Sequence, residues 1–198
     1  MNRFCLLSLA ALLLLSCGCF SSSSPTRTFV LSKTVLAASE SPLRISIGRI
    51  VLPDYLKRWE LVSLVKEREV RINDFAQWGE LLEDGVRRTV TENFRQVLGA
   101  DQVFTASPLD GEDCWRLDYE FLSLTGNMDG AFLVEVLCQA RHATEKKLFT
   151  IAFEVPCTPG KPEKLVEAHE KALGRLVLET LIQLQKQDTV RASQNPAP

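Results

Sequence analysis

Apolar and polar positions change period several times along this chain, and each change marks an element. The clearest run is at Trp115–Phe121, where Trp115, Leu117, Tyr119 and Phe121 alternate with Arg116, Asp118 and Glu120. A period of two sends one set to a core face and the other to solvent, so this is a half-buried strand. Gly126-Asn127-Met128-Asp129-Gly130 has turn chemistry, and Phe132, Val134, Val136, Cys138 and Ala140 then resume the alternation. After a turn at Thr144-Glu145-Lys146, Phe149, Ile151, Phe153 and Val155 repeat it. Residues 115–125, 131–141 and 148–155 therefore predict a meander. Shorter strands are expected at Phe29-Val30-Leu31, at Leu43–Leu52 and at Gln102–Ala106. In the second of these, Ile45, Ile47 and Val51 fall on one side, Ser46 and Gly48 on the other, and Pro53 ends the run. Leu61–Val65 and Glu69–Ile72 read as a hairpin turning near Lys66-Glu67.

Two stretches change to the helical period. Asp74 with Gln77 three residues later has the form of a capping box. Trp78, Leu81, Leu82, Val86, Val90, Phe94 and Val97 follow at helical spacing, with Gly85 as a close-packing point and Gly99 as the stop. Pro159-Gly160 breaks the chain and Pro162 suits a first helical turn. From there Leu165, His169, Leu173, Leu176, Val177, Leu181 and Leu184 form a stripe, and the sequence turns polar from Gln187. The expected fold is α+β: an antiparallel β-sheet with two long α-helices packed on one face.

The first residues follow neither period. Arg3 precedes a nearly unbroken apolar run from Phe4 to Leu15, too short to span a bilayer and suited to the core of an export signal. It ends in Leu14-Leu15-Ser16-Cys17, the pattern of a lipobox, with Cys19 as the rival acceptor. A lipidated cysteine anchors a protein through its acyl chains, at about 0.8 kcal/mol per buried methylene. The expected organisation is a signal over residues 1–16, a lipidated Cys17 and flexible tether over 17–28, one domain over 29–187 and a disordered tail over 188–198. No Asp follows either cysteine, which under the Gram-negative sorting rule favours the outer membrane, facing the periplasm.

Charge adds one exclusion. Of 198 residues, 23 are basic and 25 acidic, for a net charge of -2, so there is no electrostatic footprint for nucleic acid or for an anionic lipid surface. Candidate chemistry is sparse. The sequence contains no nucleophile elbow, P-loop, HExxH or dinucleotide fingerprint, and His142 and His169 have no ligand or nucleophile at a recognisable spacing. No enzyme activity, metal or cofactor is expected. Cys114, Cys138 and Cys157 fall at offset positions on the expected strands and read as small buried residues. One connection stands out. Leu52-Pro53-Asp54-Tyr55-Leu56-Lys57-Arg58-Trp59 packs two aromatics and two leucines between strands. Pro53, Asp54, Tyr55 and Leu56 are candidates for a protein-contact surface, with Tyr55 and Leu56 displayed; the other reading is an ordered corner covering the core edge.

These segments, in this order, resemble the ABC-type transport auxiliary lipoproteins. The resemblance rests on the lipobox with Phe29-Val30-Leu31, on Leu52-Pro53-Asp54-Tyr55-Leu56 followed by Arg58 and Leu61-Val62, on Trp78-Gly79-Glu80-Leu81-Leu82, on Trp115–Glu120 and on Ala168-His169. Leu81 stands where the family usually has proline, and Gln77 where it has a basic residue. The resemblance implies an accessory role in intermembrane lipid transport. The partners would be a tunnel protein built of mammalian-cell-entry domains, ABC transporter components, or further copies of the chain. The alternative is a structural or assembly lipoprotein of the envelope.

Overall fold

The three long strands form where the alternation placed them, because the apolar side of each turns toward the helical layer, with Phe149 and Phe153 only partly buried on the outermost strand. A computed structural model describes residues 25–39, 41–66, 69–104 and 113–194. Within them lie β1 (Arg27–Phe29), β2 (Ile45–Val51), β3 (Glu60–Lys66), β4 (Glu69–Trp78), α1 (Leu82–Leu98), β5 (Val103–Phe104), β6 (Trp115–Gly126), β7 (Ala131–His142), β8 (Glu145–Pro156) and α2 (Pro162–Gln194). The signal, Cys17, Cys19 and the tether up to residue 24 lie outside the described residues. The helix α2 runs to Gln194, into the stretch expected as a tail.

The class is α+β, but both sheets are mixed rather than antiparallel. The larger has strand order β5-β2-β6-β7-β8, and the smaller β1-β4-β3. β6, β7 and β8 are antiparallel, with Leu117 opposite Ala140 and Cys138 opposite Phe149. β2 runs parallel to β6 because β3, β4, α1 and β5 intervene, a connection long enough for a crossover. Leu117, Tyr119, Phe121, Phe132, Val134, Val136 and Ile151 are buried on the inner face, and Val86, Val90, Phe94, Leu173, Leu176 and Val177 meet them from the helices.

Two local expectations are corrected. In β2 the inward residue is Ile50 (1% exposed), not Val51, because the register shifts between Ile47 and Ile50. At this bulge a side chain on Gly48 would collide with the Asp118 carboxylate, which accepts the Arg49 amide at 2.7 Å. The capping box does not form. Asn73 Oδ1 accepts the Phe75 amide at 3.0 Å, and β4 continues to Trp78, whose amide donates to the Trp59 carbonyl at 2.6 Å. The helix opens at Leu82 instead, with the Asp84 and Gly85 amides on the Leu81 carbonyl at 2.9 and 3.0 Å. Glu83 and Asp84 in its first turn complement the positive end of the helix dipole.

An extended strap from Val30 to Ser39 crosses both helices. Arg88 donates to the Leu31 carbonyl at 2.9 Å, the Thr34 amide to Asn93 Oδ1 at 3.0 Å, and the Thr34 hydroxyl to the Glu170 carbonyl at 2.7 Å. The strap thus satisfies its backbone with side chains of the helices it covers.

The two sheets meet directly where Leu64 bridges Asn127 and the Thr125 hydroxyl donates to the Val62 carbonyl at 3.4 Å, and again through the side chain of His169. Its ring is 1% exposed, edge-on to Trp78 of β4 at 5.1 Å and to Phe132 of β7 at 4.5 Å, while Nδ1 donates to the Leu165 carbonyl at 2.8 Å. Burial lowers its pKa to about 4, against a smaller opposing effect of that hydrogen bond.

Two predictions follow from this packing. Leu117→Ala should cost about 2–5 kcal/mol in denaturant unfolding, whereas Glu120→Ala on the solvated face should stay within about 0.5 kcal/mol; equal effects would contradict the register. His169 is neutral when folded and protonates more readily when unfolded, so stability should be complete above about pH 6.5 and fall as the pH drops toward 4. The loss should reach about 3 kcal/mol. A His169→Phe variant should not show that component of the pH dependence when melting is followed across this range.

Candidate functional site

The corner after β2 is ordered by Pro53. Its φ of -53° leads into a single 3-10 turn over Asp54–Leu56. The Leu56 amide bonds the Pro53 carbonyl at 2.9 Å and the Lys57 amide the Asp54 carbonyl at 3.1 Å. This turn rotates consecutive side chains apart. Asp54 points out, 94% exposed and paired with Lys57 Nζ at 2.7 Å. The Lys57 ammonium holds the Asp54 carboxyl below its ordinary value. Tyr55 is half-buried against the core edge; burial raises its pKa, and a hydrogen bond with Ser123 partly offsets that. Leu56 turns inward and is 3% exposed.

The expectation that Tyr55 and Leu56 are displayed together is therefore corrected for Leu56. Four residues of contiguous sequence do not make one contact surface here. What the corner presents is Asp54, the outer side of Tyr55 and Trp59, which is 51% exposed. Trp59 was within reach of sequence reasoning as an aromatic in the same segment. Its exposure follows from the register of β3, which buries Leu61 and Val62 instead.

A second feature had no sequence signal. At the base of the β3–β4 hairpin a groove of about 310 Å³ opens between the smaller sheet, the β6–β7 turn and the connection into α2. Leu61, Gly126, Cys157 and Leu165 form its buried floor. Ile72 and Phe75, 40% and 52% exposed, form its lip, and Arg71, Asp74 and Lys161 stand around it. Beyond this point β4 is exposed on both faces, from Glu69 to Ile72. The residues of the groove come from four separate stretches of chain, which is why no local pattern marked it.

On the open face of the larger sheet, Asp118 faces Arg116 at 3.6 Å, pairs with Arg141 and accepts the Arg49 amide. Partial burial pushes its carboxyl up, but these cationic and amide partners outweigh it and leave the group below its ordinary value. The aspartate is thus saturated by partners that lock the β2 bulge to β6, an arrangement suited to structure rather than proton transfer. The side chains of Cys114, Cys138 and Cys157 are buried, and burial pushes the Cys138 thiol up to about 12, so Cys138 is an unreactive packing group. No group of three or more His, Cys, Asp or Glu suited to a metal ion occurs among the described residues. No described helix is long and apolar enough to cross a membrane.

Comparison with known proteins gives a consistent result. A family model described as the ABC-type transport auxiliary lipoprotein component matches residues 29–179. A crystal structure of an uncharacterized protein superposes with a TM-score of 0.66 at 16% identity, covering 81% of this chain and 99% of the other. The crystal structure of protein XCC0632 from Xanthomonas campestris, assigned to the family model DUF330, superposes with a TM-score of 0.60 at 15% identity, covering 82% and 99%. At these identities the two structures establish the fold alone. Among curated proteins none matches this chain.

The corner geometry predicts an order of effects. Leu56→Ala should lower stability by about 2–5 kcal/mol, while Tyr55→Phe should lower it less and Asp54→Ala should leave the melting temperature unchanged. Urea unfolding of the three variants checks this. A larger loss for Asp54→Ala than for Leu56→Ala would contradict the inward turn.

Proposed function

Because this chain belongs to the family of ABC-type transport auxiliary lipoprotein components, we propose that it is a non-catalytic, lipid-anchored accessory of an intermembrane lipid transport system. The family match across residues 29–179 carries this reading. Cys17 is the proposed anchor, placing the domain at the outer membrane on its periplasmic side. Residues 17–28 are the proposed link between the anchor and the domain. Its partner is a tunnel protein or the components of an ABC transporter, and copies of the chain itself can take part in the assembly.

The proposed contact surface is the Pro53 corner. Pro53 fixes the turn, Asp54 supplies an exposed charge and Tyr55 a half-buried ring whose outer edge stays available. Leu56 has the supporting role of holding the turn to the core, and Trp59 extends the surface. A half-buried aromatic next to an exposed charge suits an interface, because its own rotamer is already ordered before binding.

The reading has a direct test in fractionation and partner capture. Cys17→Ala should move the protein from the membrane to the soluble periplasmic fraction. If the variant still sediments with membranes and Cys19→Ala abolishes lipidation instead, Cys19 is the anchor. Affinity purification of the intact lipoprotein after mild crosslinking should recover a tunnel protein or ABC transporter components, and Asp54→Lys with Tyr55→Ser should reduce that recovery. Recovery of outer-membrane assembly or peptidoglycan-associated proteins alone would overturn the transport role.

A further inference from the structure

β8 is the outermost strand of the larger sheet, with β7 on one side and, among the described residues, no strand on the other. Its pairing with β7 runs from Glu145 to Pro156 without a register shift. The Cys157 amide donates to the Gly130 carbonyl at 2.8 Å, so Cys157 and every second residue before it turn their backbone groups toward β7. The residues between, Lys146, Leu148, Thr150, Ala152 and Glu154, turn theirs to the outer edge. Arg175 agrees with this, since its guanidinium donates to the Glu154 carbonyl at 3.1 Å. An edge strand of this length is normally blunted by a proline, an inward charge or a bulge. Here Pro156 closes one end, and Lys147, 6% exposed, turns inward at the other. Between them the strand is regular, and Arg175 takes one carbonyl.

The side chains on this edge are self-complementary. Lys146, Leu148, Thr150, Ala152 and Glu154 are all exposed, with opposite charges at the two ends and uncharged residues between. Laid antiparallel against a second β8 about a two-fold axis at Thr150, Lys146 faces Glu154 of the partner subunit, Leu148 faces Ala152 of the partner subunit, and Thr150 faces its own copy. These are the positions whose backbone groups point outward, so the same register closes the backbone ladder. With the axis at Phe149 or Ile151 instead, Lys146 would face Ala152 or Pro156 and the charge pairing would be lost. A peptide of arbitrary sequence would satisfy the backbone alone, whereas a second copy satisfies backbone and charge together.

Helix α2 flanks the same edge. The Arg175 guanidinium that reaches the edge lies 4.4 Å from the centre of the Phe153 ring. Leu178 and Ile182, 40% and 42% exposed, follow three and seven residues later on the same stripe of the helix. The Tyr119 hydroxyl donates to Thr180 at 3.2 Å, and Tyr119 is level with Phe149 through Cys138, so this part of α2 stands beside the middle of β8. A two-fold axis perpendicular to the sheet keeps both helical layers on one side. It brings Leu178 and Ile182 of the two copies toward each other and covers Phe149 and Phe153, which a single copy leaves partly buried.

We propose that two copies of this chain associate through β8, pairing Lys146–Glu154 antiparallel about Thr150 and joining their larger sheets into one. This gives the contact between copies proposed above a surface, and it depends neither on the transport role nor on which cysteine is the anchor.

Cysteine crosslinking of the full-length lipoprotein in native membranes tests the register, with the unsubstituted chain as the background. Thr150→Cys should form a disulfide-linked dimer under mild oxidation, because it faces its own copy at about 5.5 Å between Cα atoms. Lys146→Cys and Glu154→Cys should not link to their own copies, which lie eight residues away along the strand, roughly 27 Å. They should link to each other when the two variants are co-expressed. Glu135→Cys, exposed on β7 and away from the edge, should give no dimer. In the soluble Cys17→Ala chain, Lys146→Glu should weaken self-association at least tenfold by analytical ultracentrifugation, and adding Glu154→Lys should restore it with an unchanged melting temperature. A Thr150→Cys chain that stays monomeric or links to a different protein would overturn the proposal. So would equal crosslinking at Glu135→Cys, a soluble chain monomeric at every concentration, or self-association that Lys146→Glu leaves unchanged. Thr150→Cys dimers in a chain that captures no tunnel protein or ABC transporter component would uphold this surface and overturn the transport role alone.

Discussion

The arrangement depends on a buried, neutral imidazole. His169 takes an aromatic edge from each sheet, Trp78 from the smaller and Phe132 from the larger, and gives its one proton donor to the carbonyl of Leu165 on its own helix. No hydrogen bond is asked of either sheet. This lets α2 act as the common backing of both, since the contact is apolar in kind and the polar requirement is met within one helical turn. An aliphatic side chain would fill space but would lack the planar shape that two rings approach at steep angles.

The joint determines where the two candidate surfaces lie. Trp78 ends β4, and its amide closes onto Trp59, so the Pro53 corner and the base of the hairpin are fixed by the same residue pair. From there β4 runs exposed from Glu69 to Ile72, while Leu165, one turn before His169, forms part of the groove floor. The groove is the space between the smaller sheet, the β6–β7 turn and the connection into α2. The corner lies on the other side of β3, where Leu56 and Leu61 dip into the core and Asp54 and Trp59 do not.

Much of this was legible in the sequence, and the limits have physical causes. Strands β6, β7 and β8 and the stripe of α2 were readable because long regular elements repeat one periodicity many times, and burial enforces it. The Ile50 bulge was not, because a single inserted position in β2 is set by its pairing with β6 and by Asp118, which is distant in sequence. The start of α1 was misplaced because Asp74 and Gln77 have the right spacing for a cap, while Trp78 is held in a strand by partners on β1 and by Trp59. At the site, Pro53 announced a turn, but its 3-10 form, which turns Leu56 inward and leaves Asp54 out, could not be read from composition. The groove could not be read at all, since its lining has no sequence continuity.

The central claim is that the Trp78–His169–Phe132 contact holds the smaller sheet to the larger one, beyond what the direct Leu64–Asn127 bridge between them supplies. Amide hydrogen exchange of a Trp78→Ala variant tests it most directly. The claim predicts that β1, β3 and β4 lose protection together while β6, β7 and β8 keep theirs, because the larger sheet retains its own packing on α1 and α2. Loss of protection spread evenly over both sheets, or no loss in the smaller one, would contradict it.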